Sequence, residues 1–505
     1  MTELDNPGAQ PEEDFASLLE QYMGEEDLAN SLLEKEGSNR RLGRGSNLVR
    51  KPNIYRAIKN STVDMMDGNA LGAFNSVRKI LHLEMPAKVR LLAYVNLGDS
   101  ALKVARGETE PAAKINWYEE SCKWSDKALD LKLPDSSGQV FSAAVMQAWA
   151  RNEQAEIEED PEKRKDLLEQ AYKNLHDILD SVSLINNGWE FTFHATLHKS
   201  ARKAALYVNT PEDKRAWDEI WFDHARKAAE VSHRSDNSHG ERVYIYWSAQ
   251  AAAAIGYGEV NKDEARKWFV VADNSVTRSI DLAQDGESLR AEYGLAAFIT
   301  SNLVKLSDTD EDKSQWLDKN IGWNKRMADS ETNPSRRVTQ LIYCLAGIDG
   351  MIKLKPEDKE TWEKRKITYL ELLYQTQLKI AQDFDRVKDP RRAANALIEL
   401  SKTASRIRKL DKANRADWDN RSYIASSSAA EEFNKLGLMV HELKALNRGS
   451  NALDGMIQAA NSDTDREKWS EERKRLSTRA DELRLRMREE RNLAQLIQVT
   501  TSFVQ

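Results

Sequence analysis

Eight histidines are the first place to look for chemistry, and the closest pair lies in "HATLH", where His194 and His198 stand four residues apart. On a helix this spacing turns both imidazoles to one face, as in the zinc motif HExxH. Position 195 is alanine, so the glutamate that would serve as general base is missing, and the motif brings no third ligand. The pair therefore reads as helix packing. His233, Asp236 and His239 in "SHRSDNSHG" read as a polar connection between helices. The chain has no P-loop, no GxGxxG in a βαβ context and no GxSxG elbow. The expected catalytic, cofactor-binding and metal-ligating residues are accordingly none, and the chain is not expected to be an enzyme. Cys122 and Cys344 lie far apart in apolar surroundings, which suggests neither a disulfide nor a cysteine metal site and fits a cytoplasmic setting.

Arginine offers a different chemistry. Arg242, Arg290, Arg336 and Arg392 each lie 26 positions before a tryptophan, and Arg90 lies 27 before another. Each falls in the first turn of an expected helix, where a cation opposes the helix dipole, so propensity does not explain the recurrence. Two readings stand: each arginine pairs with an acid of an adjoining repeat, or the four consecutive ones form a row about 30 Å long, at ~10 Å per helix, that faces a ligand. A row of that kind would suit an acidic peptide or a phosphate backbone, and these five arginines are the candidate partner-binding residues.

The elements that must position them are announced by "PEDKRAW", "DEDKSQW", "PEDKETW" and "DTDREKW", which begin at 211, 310, 356 and 463. Aligned on their last residue they extend to Trp117, Leu167, Trp217, Trp268, Trp316, Trp362, Trp418 and Trp469, with spacings of 50, 50, 51, 48, 46, 56 and 51. Such a recurrence marks a repeat array. In "NTPEDKRAW", Thr210 suits the cap, Pro211 the first helical position, and Glu212 and Asp213 the positive end of the dipole. Each heptapeptide is thus a predicted helix start, and the large aromatic is a predicted buried packing residue.

A second apolar helix rich in small residues follows each first one, as in "VYIYWSAQAAAAIGYG" (243–258) and "RAANALIELSKTASRI" (392–407). Two helices with short connections fill the period, and no strand pattern is found. The expected fold is all-α, a right-handed-type α-solenoid of about eight helical hairpins with a long C-terminal helix. Over roughly residues 66–490 it resembles tetratricopeptide-type α-solenoids in architecture only, since their period is about 34 residues and their consensus is not matched. The resemblance implies a scaffold that binds a protein or peptide.

The ends differ from the body. Residues 1–36 hold eleven acids against Lys35 alone, a net of −10 in a chain whose total is −7, and residues 38–60 are then basic. Residues 1–50 read as a mostly disordered acidic arm with a basic linker, 51–465 as the repeat solenoid, and 466–505 as a capping helix or a short coiled coil that would join two chains as a homodimer. Within the arm, Phe15, Leu18, Leu19 and Tyr22 recur at helical spacing, a candidate docking motif. That stretch also resembles acidic N-terminal peptides of bacterial S1-type RNA-binding proteins, although no S1 barrel follows. No run is apolar and long enough for a membrane span. Composition and architecture favour a non-enzymatic adaptor or scaffold for a protein or peptide partner, an acidic one fitting the arginines. The alternative is an RNA- or DNA-associated protein, for which the stretch 386–415, with ten Lys/Arg against three acids, speaks.

Overall fold

The repeated heptapeptides are helix starts in the computed structural model, which describes residues 51–133, 137–178, 187–208, 210–284, 288–384 and 389–504. Thr210 Oγ1 accepts the Asp213 N–H at 3.1 Å, Thr309 Oγ1 that of Asp312 at 3.2 Å, and Ser462 Oγ that of Asp465 at 3.0 Å. Asp160 and Asn261 cap in the same way, and Pro161 and Pro211 occupy first helical positions whose missing N–H would have no partner within the helix.

By compactness the chain divides at Gly258 and Glu259. The first unit runs through α1 (Lys51–Met66), α2 (Ala70–Arg78), α3 (Ala87–Gly107), α4 (Pro111–Leu129), α5 (Ser137–Ile157), α6 (Pro161–His176), α7 (Asn187–Tyr207), α8 (Pro211–Arg234) and α9 (Ser238–Gly258). The second comprises α10 (Lys262–Asp281), α11 (Arg290–Leu306), α12 (Asp310–Ser330), α13 (Pro334–Leu354), α14 (Lys359–Asp383), α15 (Pro390–Leu410), α16 (Arg415–Lys435), α17 (Met439–Ala459) and α18 (Asp463–Val504). In each unit every helix packs on the next, and no strand occurs among the described residues. The fold is an all-α helical-hairpin solenoid. Even-numbered helices from α4 onward carry the repeat position; within each unit they form one layer, and the odd-numbered helices from α3 form the other.

The repeat position itself departs from expectation. It is the seventh residue of α4, α6, α8, α10, α12 and α18, but only Trp418 of α16 is buried, and the others are half-buried. The reason is that the ring lies at the edge of its layer, where it covers the preceding first helix instead of filling the centre. Trp117 meets Phe74 edge-on at 5.2 Å, Trp217 meets Tyr172 at 5.2 Å, and Trp418 meets Tyr374 at 5.4 Å. In the second unit the outer face is shielded by a cation one turn later, with Lys319, Arg365 and Arg421 over Trp316, Trp362 and Trp418 at 5.5, 4.9 and 4.5 Å. The centre is filled by the next residue in several repeats, among them Tyr118, Leu168 and Phe269.

The long helix α18 of 42 residues spans about 63 Å at 1.5 Å per residue. Leu476, Ala480 and Leu483, at the alternating 4-3 spacing of a coiled-coil seam, are buried in the same apolar cluster as Phe433, Leu446 and Leu453. That portion of the seam is therefore spent within its own chain. The docking motif Phe15, Leu18, Leu19 and Tyr22, like the whole of residues 1–50, lies outside the described residues.

Candidate functional site

The histidines gather in the first unit, though not as the sequence pairs them. His194 on α7 turns to His224 on α8, with their Nδ1 atoms 2.9 Å apart, so one imidazole donates to the other. The Tyr172 hydroxyl of α6 stands 3.4 Å from His224 Nε2. His198 Nδ1 instead donates to the Ala195 carbonyl of its own helix at 2.7 Å. Burial pushes all three imidazoles down, His194 to about 4 and His198 and His224 to about 3, so they are neutral near pH 7. Lys227 opposes their protonation further at His194 and His224, and His194 does so at His224.

The His194, His224 and Tyr172 rings line an open cleft of about 690 Å³ together with Glu190, Asp223 and Lys227, and His198 lies outside it. The charged groups there are already committed, Asp223 to Lys227 at 2.7 Å and Glu190 to Arg234 at 2.7 Å. No three His, Cys, Asp or Glu side chains among the described residues are grouped to hold a metal ion. Both thiols are raised by burial, Cys122 to about 11 and Cys344 to about 12, which leaves little thiolate at neutral pH.

The five arginines prove to live in different surroundings. Arg242 is buried at 8% exposure at the start of α9. Arg290 of α11 pairs with Glu331, the buried residue that closes α12, at 2.6 Å. Arg392 pairs at 3.2 Å with Asp389, the N-cap residue of its own helix α15. Arg336 of α13 is exposed and Arg90 of α3 half-exposed, neither with an ion-pair partner among the described residues. Identical register thus produces unlike chemistry, because the nearest acid differs in each repeat: the end of the next helix for Arg290 and the N-cap of its own helix for Arg392.

Elsewhere ion pairs stitch one layer of each unit. In the first unit they join second helices: Arg106 of α3 pairs with Glu153 of α5 at 2.8 Å, and the buried Lys203 of α7 pairs with Glu156 of α5. In the second unit they join first helices: Arg266 of α10 with Asp312 of α12 at 2.7 Å, Lys319 of α12 with Asp273 of α10, and Arg365 of α14 with Asp318 of α12 at 2.7 Å. The spacing of these partners, near 46 residues, is the repeat period made visible in hydrogen bonds.

Large apolar side chains stand outside on the opposite layer of the second unit. Phe298 of α11 is 43% exposed, and Ile342 and Tyr343 of α13 are 47% and 55% exposed. No helix among the described residues is long and apolar enough to cross a membrane.

No family model matches the chain, and no curated protein matches it. Among solved structures it is similar to a circular tandem repeat protein with novel repeat topology, at 18% identity over 79% of this chain and 99% of that one, with a TM-score of 0.30. The S. pombe nuclear import adaptor Nro1 is 12% identical over 61% of this chain and 99% of that one, with a TM-score of 0.31. For yeast Tom70 the values are 13%, 89%, 99% and 0.21. These likenesses are of helical-repeat architecture and carry no functional argument.

Proposed function

We propose that this chain is a non-enzymatic helical-repeat adaptor or scaffold that holds a protein or peptide partner on the outside of its helices, and that its acidic N-terminal segment takes part in docking. One observation carries the reading. The side chains capable of chemistry, the histidine cluster and the thiols, are withdrawn and engaged, whereas Phe298, Ile342 and Tyr343 stand exposed on alternate helices of one layer. Exposed aromatic and aliphatic groups on a repeated scaffold suit contact with another chain.

Association with nucleic acid is the second reading, and it rests on α15, whose 21 residues hold six Lys/Arg against Glu399 alone. The experiment is affinity capture with the full-length chain, with and without nuclease, followed by mass spectrometry. A reproducible set of proteins that survives nuclease is the expected result. Loss of every captured protein on nuclease treatment would replace the adaptor by the nucleic-acid reading.

A further inference from the structure

Across α10–α15 of the second unit, charge is divided between the layers, while the second helix α17 is balanced. First helices α10, α12 and α14 hold thirteen Lys/Arg against thirteen Asp/Glu, whereas second helices α11, α13 and α15 hold eleven against three. The three acids are not free to balance that excess outside. Glu292 is buried, Asp349 pairs with Lys366 of α14, and Glu399 with Lys402. Lys305, Arg336, Lys353, Arg391, Arg406 and Lys409 are exposed on this layer, none with an ion-pair partner among the described residues.

Helical spacing places these cations with the exposed apolar groups. On α13, Arg336, Tyr343 and Lys353 follow at seven and ten residues, within one face, with Ile342 beside them. On α11, Lys305 lies seven residues after Phe298. First-helix cations such as Arg266, Lys319 and Arg365 are stitched to acids and hold the unit together; on the second helices Arg290, Arg392, Lys402 and Arg408 are paired as well, whereas the six exposed cations named above are not.

We infer that the exposed face of α11, α13 and α15 is a docking surface for an acidic segment of a protein partner that carries large apolar side chains among its carboxylates. This deepens the adaptor reading and rests on it. On α13, complementarity favours a protein over a nucleic acid. The outward cations of α13, Arg336 and Lys353, are 17 residues apart, about 25 Å along the helix, and apolar groups fill the space between them. Widely spaced carboxylates with an apolar residue between them match that pattern, whereas a phosphate backbone repeats its charge every few ångströms.

The probe is a fluorescent peptide copying residues 11–27, PEEDFASLLEQYMGEED, which combines seven acids with five large apolar groups. Anisotropy is measured on the full-length chain at low salt. Arg336→Glu, Lys353→Glu and Arg406→Glu together are expected to weaken binding about tenfold or more, and Tyr343→Ala to weaken it severalfold, with unchanged melting temperatures. Lys267→Glu, Lys359→Glu and Lys364→Glu on the first helices change net charge equally and are expected to leave affinity nearly unchanged. Equal loss in both triples, or no peptide binding at all, overturns the surface. So does tighter binding of a 20-nucleotide oligothymidine sensitive to the first triple, which would make the face a nucleic-acid site. A photo-crosslink from position 343 to residues 1–36 of this chain would assign the face to that segment and overturn the partner. If wild type and the first triple capture the same proteins from lysate, the adaptor reading stands and this surface falls.

Discussion

At the scale of single residues, burial decides what each ionisable group can do. His194, His198 and His224 are depressed from the usual histidine range by desolvation, to about 4, 3 and 3. In the unfolded chain they would take up protons near pH 6.5, while the folded chain refuses them until much lower pH. Their contribution is therefore complete above pH 6.5 and is lost as pH falls from there toward 4. Urea unfolding should show the chain less stable at pH 5 than at pH 7.5, by on the order of 2 kcal/mol per imidazole. Replacing His194 and His224 by Gln should remove most of that pH dependence. The arginines make a second residue-scale contrast. Arg290→Ala would strand the buried carboxylate of Glu331 and should cost about 1–3 kcal/mol, while Arg336→Ala, exposed and without an acid partner among the described residues, should stay within about 0.5 kcal/mol. Equal losses in urea titrations of the two variants would contradict the surroundings described for them.

At the scale of elements, helix starts were legible and helix contacts were not. Thr210, Asp160 and Thr309 act within three residues of their own chain, so local chemistry announces them. The acid that claims Arg290 lies 41 residues on, and the imidazole that meets His194 lies 30 residues on; no local pattern marks either. The half-buried tryptophans show the same limit, since the period locates them but the edge of a layer appears only once helices are stacked. One local signal does accompany them: a cation three residues after Trp316, Trp362 and Trp418, one turn along, shields each ring. Close helix approach yields a test. A Cβ on Gly455 of α17 would come within 2.1 Å of Asp419 Oδ2 on α16, and that buried carboxylate is held by Arg408 at 2.7 Å. Gly455→Ala should therefore destabilise by about 1–3 kcal/mol. Gly322→Ala in α12 meets nothing within 4 Å and should be neutral or gain up to about 1 kcal/mol from helix propensity, as thermal melts of the two variants would show.

At the scale of the whole molecule, a net charge of −7 conceals a division that matters for binding. Residues 1–36 contribute −10, so the remainder is +3, and within the second unit the excess cations stand on α11, α13 and α15. An approaching acidic segment therefore meets a molecule whose mean field repels it and whose docking layer attracts it. Mean field acts at long range and is screened by salt, over about 10 Å at 0.1 M, whereas charge-assisted contacts and apolar burial act at touching distance. Deleting residues 1–36 leaves every described helix in the chain and reverses the sign of the net charge. The truncated chain should bind the residue 11–27 peptide roughly threefold or more tightly than the full chain at ~20 mM salt, with the difference shrinking toward nothing at ~0.5 M. Anisotropy titrations at the two salt concentrations read this directly. A gain that persists at high salt would have a different cause, because screening cannot spare a Coulombic effect. It would mean that Phe15, Leu18, Leu19 and Tyr22 compete for the same apolar groups, with the segment acting by occupation instead of repulsion.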